Sequence, residues 1–114
     1  MDRARIIDQN FIAAVDTLQF PLAHSTTTPA LAGLSREDFL DIFDAQIASR
    51  HLDIQARILR EQNQGFYTIG SSGHEGNAAI AQALLLEDMG FLHYRSGALM
   101  IQRAKRAGVN EPYI

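Results

Sequence analysis

From Arg36 to Gln62 the chain holds neither glycine nor proline. Such a run leaves little choice of backbone, because the two strongest helix breakers are both missing. Phe39, Phe43, Ile47, Ile54 and Ile58 recur within it at helical spacing, and Leu40, Leu52 and Leu59 widen the apolar stripe. Ser35 stands just before the run with Asp38 three residues on, in the manner of a capping box. Asp53 and Arg57 are four apart, in the favourable order for a surface pair. The spacing therefore predicts one long helix of about seven turns at 3.6 residues per turn. Its apolar stripe reads as core or as a contact between chains.

The flanking segments are more broken. Ile7, Phe11, Val15 and Leu18 lie three or four apart and predict a helix over 2–18. Over 19–34, Pro21 and Pro29 bracket Ser25-Thr26-Thr27-Thr28 and Gly33 follows, which reads as an extended connector. Beyond the long helix, Gln64-Gly65 is a stop. Phe66-Tyr67-Thr68-Ile69 is aromatic and β-branched and suits an extended segment. Gly70-Ser71-Ser72-Gly73 is a turn, and Ser72 with Glu75 predicts a second capping box. Residues 74–86 read as a helix whose face of Ala78, Ala79, Ala81 and Ala83 permits close approach of another helix. Asp88-Met89-Gly90 is a further turn, and Phe91-Leu92-His93-Tyr94 a short buried strand or extended piece. Ser96-Gly97 starts a last helix that Gly108 and Pro112 stop.

The expected fold class is thus mostly α with one or two short strands. Residues 1–34 form a helix and linker, and residues 35–114 the main unit. A length of 114 residues suits one domain. With 46% hydrophobic and 20% charged residues the composition is that of a globular protein and not of a disordered one. A net charge of -3 gives no reason to expect nucleic acid or membrane as partner. Cysteine is absent, which removes disulfides, thiolate catalysis and cysteine zinc sites. No apolar run suits a signal peptide or a membrane span, so a cytoplasmic location is expected.

The chemically suggestive residues fall between Phe66 and Gly97. A Gly/Ser loop opening a helix, here Gly70 to Gly76, offers backbone N–H groups and a positive dipole end to an anion. It lacks the ending of a P-loop and the spacing of a dinucleotide fingerprint, and a well-capped helix start explains it as well. His74 and Glu75 are adjacent, so on a helix they point about 100° apart and do not face each other. No two of His24, His51, His74 and His93 have the spacing of a zincin helix, so no metal site is expected. In His93-Tyr94-Arg95-Ser96-Gly97 a guanidinium fork and a phenol suit a phosphate or carboxylate. Read alone, the commoner alternative is Tyr94 in the core and Arg95 in a salt bridge. Arg103, Lys105 and Arg106 read as a solvated helix face near a favourable dipole end, and the net charge argues against nucleic-acid binding through them.

The order of these pieces carries more than any one of them. It runs Arg50-x-x-Asp53, Gln64-Gly65-Phe66-Tyr67, Gly73-His74-Glu75-Gly76, Asp88 and Tyr94-Arg95-x-Gly97. Over roughly residues 36–107 this resembles the alpha chain, or alpha half, of the first component of 2-oxo acid dehydrogenase complexes, the pyruvate and branched-chain type. The resemblance implies the N-terminal portion of an α/β thiamine-diphosphate-binding fold. It implies oxidative decarboxylation of a 2-oxo acid, with acyl transfer to a lipoyl group. The cofactors implied are thiamine diphosphate and Mg2+. The partners implied are a beta chain or beta half, a lipoyl-bearing second component, and further copies in a homo-oligomer. Tyr94 and Arg95 match the family's diphosphate-binding pair. Phe66 matches the segment lining the cofactor, and Thr68 and His93 fall in the substrate pocket. Arg50 and Asp53 match a structural pair. Between Phe66 and Gly73 the chain carries one residue more than the family spacing, which leaves Thr68 and Ile69 as alternatives. The Gly-Asp-Gly…Asn motif that holds magnesium in the family is not among the 114 residues. The beta chain's activating glutamate is likewise not part of them, so the implied parent is an enzyme of which these residues are an inactive piece. The alternative of a different class is a non-catalytic helical module for self-association.

Overall fold

Ser35 and Asp38 set the start of the longest element. In a computed structural model that describes residues 3–20, 26–66 and 69–109, the Ser35 hydroxyl accepts the Asp38 N–H at 3.0 Å. The Asp38 carboxylate in turn accepts the Ser35 N–H at 3.0 Å. This reciprocal box satisfies two donors that a helix start otherwise leaves open. The helix runs Arg36–Glu61. In chain order it is α2, after α1 at Arg3–Thr17 and before α3 at Asn77–Ala83 and α4 at Gly97–Arg106. A single 3-10 turn, His74–Gly76, leads into α3. The fold is mostly helical, as composition and periodicity predict.

Two expectations fail. No strand is present among the described residues. Phe91-Leu92-His93-Tyr94 is expected as a short buried strand or extended piece, but it forms no strand, Tyr94 enters a turn and Phe91 is fully exposed. A strand needs a partner for its N–H and C=O groups, and none lies alongside. The backbone turns instead: the His93 N–H donates to Ser96 Oγ, and the Ser96 N–H donates back to the His93 carbonyl at 2.9 Å. The connector is also less extended than predicted. Thr28 to Leu34 fold into consecutive turns, with the Leu34 N–H on the Pro29 carbonyl and the Leu31 N–H on Thr28 Oγ1.

The core is small and built from small side chains. Ile42 and Ala45 of α2 meet Ala78 of α3 and Ala98 and Ile101 of α4, with Leu34, Ala48 and Leu52 packed around them. Alanine at Ala78 and Ala98 brings the helix backbones close, as the alanine-rich face predicts. Of that face Ala78 and Ala81 are fully buried, whereas Ala79 and Ala83 stay exposed. The row of α2 that turns inward is therefore Ile42, Ala45, Ser49 and Leu52. The bulkier row of Phe39, Phe43, Ile47, Ile54 and Ile58 faces outward. Among the described residues no Cα of α1 approaches a Cα of another helix within 8 Å.

α3 ends at Ala83, three residues before its predicted end, because Leu84 is extended. The carbonyls freed there are taken by α4. Arg106 donates to those of Ala81 and Leu84, and Arg103 to those of Leu86 and Asp88. Lys105 donates to Asp44 at 2.6 Å and lies 3.4 Å from Asp41. Burial alone works against a charged Lys105, but the two carboxylates outweigh it and raise its pKa above the ordinary value. The three cations predicted to line a solvated face are thus spent on carbonyls and carboxylates of the chain itself. No helix of the described residues is long and apolar enough to cross a membrane.

The cap yields a prediction. Ser35→Ala should cost about 1 kcal/mol of stability in urea unfolding, the usual loss for an N-cap hydroxyl. Asp38 has its carboxyl pKa held below 3.8 by the hydrogen bonds from the Ser35 hydroxyl and N–H. A carboxyl lowered in the folded state stabilises above its unfolded pKa and loses that stabilisation as pH falls through the folded value. Acid titration followed by circular dichroism should accordingly show stability falling below pH 3.8, with Asp38→Asn flattening part of the fall.

Candidate functional site

The two segments singled out by sequence, Gly70–Gly76 and His93–Gly97, lie against each other and against the middle of α2. Asp53 is the anchor. Its Oδ2 accepts the Ser71 N–H at 2.7 Å, and the Ser71 hydroxyl shares a 2.7 Å hydrogen bond with that of Ser49, one turn earlier. Both serines are buried. Gly70 passes so close to α2 that a Cβ on it would sit 2.9 Å from Asp53 Oδ2. Gly97, the first residue of α4, has the same constraint: its Cβ would meet Ser49 Oγ at 3.0 Å. A side chain at either position would push Asp53 or Ser49 out of its place, so the two glycines suit the close convergence of the loop and the start of α4 on one stretch of helix.

Arg95 joins the two segments by donating to the Gly70 carbonyl, with its guanidinium 5.3 Å from the centre of the Tyr94 ring. The Arg95 N–H donates to Nδ1 of His93 at 3.0 Å. The His93 ring stands edge-on to His74, with centroids 4.9 Å apart, and at 5.7 Å from Tyr94. The result is a contiguous set of two imidazoles, a phenol and a half-buried guanidinium. Tyr94 is 63% exposed, so the packed-core reading of this residue does not hold. Arg95 forms no ion pair with a described carboxylate either. Its guanidinium donates to a neutral carbonyl, that of Gly70, and carries five N–H donors in all.

The other expected site residues stand apart. Phe66 is 98% exposed. Thr68 lies outside the described residues. The second capping box does not form at Ser72, whose backbone is left-handed at φ 44 and whose side chain caps nothing. Glu75 accepts instead from the Gly73 N–H at 2.6 Å and lies 3.8 Å from Arg50. His74 and Glu75 point different ways, as adjacency predicts. Three N–H groups of the loop are not free for an outside anion. Those of Ser71 and Gly73 are held by Asp53 and Glu75, and that of His74 by the Ser71 carbonyl. The anions that occupy this loop are the chain's own. No group of three or more His, Asp and Glu suited to a metal ion occurs among the described residues.

Sequence reading missed Ser49 and Ser71. The signal was present, because Ser49 is the polar residue in the inward row of α2 and sits four before Asp53. Arg50 and Asp53, 3.8 Å apart, hold the loop from both sides. Removing the Asp53 carboxylate leaves the buried Ser71 N–H unpaired. Asp53→Ala should cost about 1–3 kcal/mol in thermal unfolding, while Asp53→Asn, which keeps an acceptor, should cost less. Equal losses in the two variants would show that packing and not the hydrogen bond is at stake.

No protein-family model matches this chain, and neither a curated protein nor a solved structure does, so its own residues carry the functional reading.

Proposed function

We propose that the chain is the N-terminal part of a thiamine-diphosphate-dependent 2-oxo acid dehydrogenase, with Tyr94 and Arg95 directed to the cofactor's diphosphate. The observation that supports this most is the convergence of His93-Tyr94-Arg95 with the Gly70–Gly76 loop. Two motifs that resemble that family, far apart in sequence, meet at one partly exposed edge. Arg95 is fixed there by the Gly70 carbonyl and the Tyr94 ring.

The donor set suits a diphosphate. A guanidinium gives directed N–H groups and full charge at any physiological pH, a phenol gives an O–H, and both sit beside an imidazole. The N–H groups of Ser71, Gly73 and His74 are already occupied, so on this reading side chains would carry most of the binding. The loop would serve to position Arg95. Phe66, in its exposed place, would be covered by the cofactor or by the beta chain. Magnesium and the activating glutamate would come from residues beyond these. Bound thiamine diphosphate supplies the nucleophilic carbanion and the electron sink that decarboxylation of a 2-oxo acid requires. What these residues contribute is binding and orientation, within the opening portion of an α/β cofactor-binding fold. The partners on this reading are a beta chain or beta half and a lipoyl-bearing acyl acceptor.

The test uses the alpha chain assembled with its beta half. Arg95→Ala should weaken thiamine diphosphate binding roughly 10- to 100-fold in calorimetry, the effect of losing one charge-assisted hydrogen bond. Tyr94→Phe should weaken it less. Unchanged affinity in Arg95→Ala would overturn the assignment.

A further inference from the structure

α1 faces α2 without packing on it. Ile7, Asp8 and Phe11 line one wall of a cleft of about 440 Å³, and Ile47, Arg50 and Ile54 of α2 stand on the other. The four apolar residues of the two walls are each between 39 and 64% exposed. Packed helices have axes about 8–10 Å apart. With Cα atoms on a cylinder of about 2.3 Å radius, that spacing brings facing Cα atoms to about 4–6 Å. Yet among the described residues no Cα of α1 lies within 8 Å of one of α2. Two apolar walls thus look at each other across open space. Expelling the water between them is favourable in proportion to the apolar area covered.

We propose that α1 is a strap that closes onto the outward row of α2, seating Ile7 and Phe11 against Ile47 and Ile54. Ile7 and Phe11 are four apart and share one face of α1. Ile47 and Ile54 are seven apart, about two turns, and share one face of α2. The strap is already formed. Its last turn is closed by the Gln19 N–H on the Ala14 carbonyl, with Leu18 left-handed at φ 54. Closure therefore moves a finished helix and bears no cost of nucleating one.

Arg50 links the strap to the loop on the other side of α2. Its guanidinium lies 3.8 Å from Asp53 and 3.8 Å from Glu75. Those carboxylates hold the N–H groups of Ser71 and Gly73. Asp8 of the strap shares the cleft with Arg50. Closure brings this third carboxylate toward the same guanidinium and draws it away from the other two. With the strap open, Arg50 serves the loop alone; with the strap closed, it is shared. The position of α1 thereby sets how firmly the segment from Gly70 to Gly76 is held. The device uses neither Tyr94 nor Arg95, so it does not depend on the cofactor reading.

A disulfide reports closure, because it needs Cα atoms about 4.4–6.8 Å apart and every α1–α2 pair is now wider than 8 Å. The chain has no cysteine of its own to interfere. Ile7→Cys or Phe11→Cys is combined with Ile47→Cys or Ile54→Cys, and circular dichroism checks that each reduced variant keeps its helices. On oxidation at least one pairing should give an intramolecular disulfide at monomer mass. Ile12→Cys, about 100° round the helix from Phe11, should crosslink to the same partners at least about tenfold more slowly, since it lies off the apolar seat. In the oxidised pair the Ser71 and Gly73 amide resonances should move from their reduced positions, and adding Asp8→Asn should shrink the movement. Helical variants that form no monomeric disulfide in any pairing overturn the strap. A covalent dimer in its place also overturns it, since the face then belongs to another chain. Ile12→Cys crosslinking as fast as Phe11→Cys overturns the apolar seat. Unmoved Ser71 and Gly73 resonances overturn the link through Arg50.

Discussion

The hydrogen bond from the Ser71 N–H to Asp53 holds the rest of the arrangement in place. It is a charged acceptor in a part-buried setting, the kind of bond worth most when satisfied and costing most when broken. It draws the loop after α2 back onto the middle of that helix. The Gly70 carbonyl is thereby presented to Arg95, and Ser49 and Ser71 close over the same spot. α4 then begins where Gly97 can touch Ser49. One carboxylate beside the inward row of α2 thus holds the Gly70 end of this region, and Ser49 on that row meets its Gly97 end.

A second polar chain runs along the other end of the bundle. Gln102 donates to Gln82, and Gln82 donates to Asp38, each at 2.9 Å, so α4 is linked through α3 to the cap of α2. Gln102 is fully buried, and its Oε1 accepts no hydrogen bond from the described residues. With a core of alanines and two isoleucines, the apolar area buried is modest. Directional bonds between helices therefore carry much of the specificity of the packing, because a small smooth core leaves many sliding arrangements of nearly equal energy.

What could be read from sequence follows the range of each interaction. The Ser35–Asp38 box and the extent of α2 depend on residues within four positions, and both form as predicted. The box at Ser72 has the same spacing, with Glu75 in place of an aspartate, but fails: Ser72 is left-handed, and Glu75 takes the Gly73 N–H instead. Periodicity gave α2 a stripe but not its side. The larger side chains look like core, yet the close approach of α3 and α4 selects the row containing Ala45 and Ser49. The strand at Phe91 was a local reading of composition, and strands are decided by neighbours. At the candidate site, Tyr94-Arg95 was legible as a motif. Its neighbours Gly70 and His74 were not, since nothing local brings residues 19 or more positions apart together.

The arginines of α4 carry a consequence for how the chain opens. α3 has seven residues, too few to persist alone, since isolated helices below about 12 residues are marginal in water. Near its end the Ala81 carbonyl accepts from Arg106 of the docked α4, and Arg106 and Arg103 hold the carbonyls of Leu84 and Leu86 just beyond it. Losing α4 would strip α3 of its C-terminal partners and of its buried alanine contacts at once. The two helices therefore form one unit of exchange, in which backbone amides of α3 meet solvent only when α4 has left, however well α2 is held by its own cap.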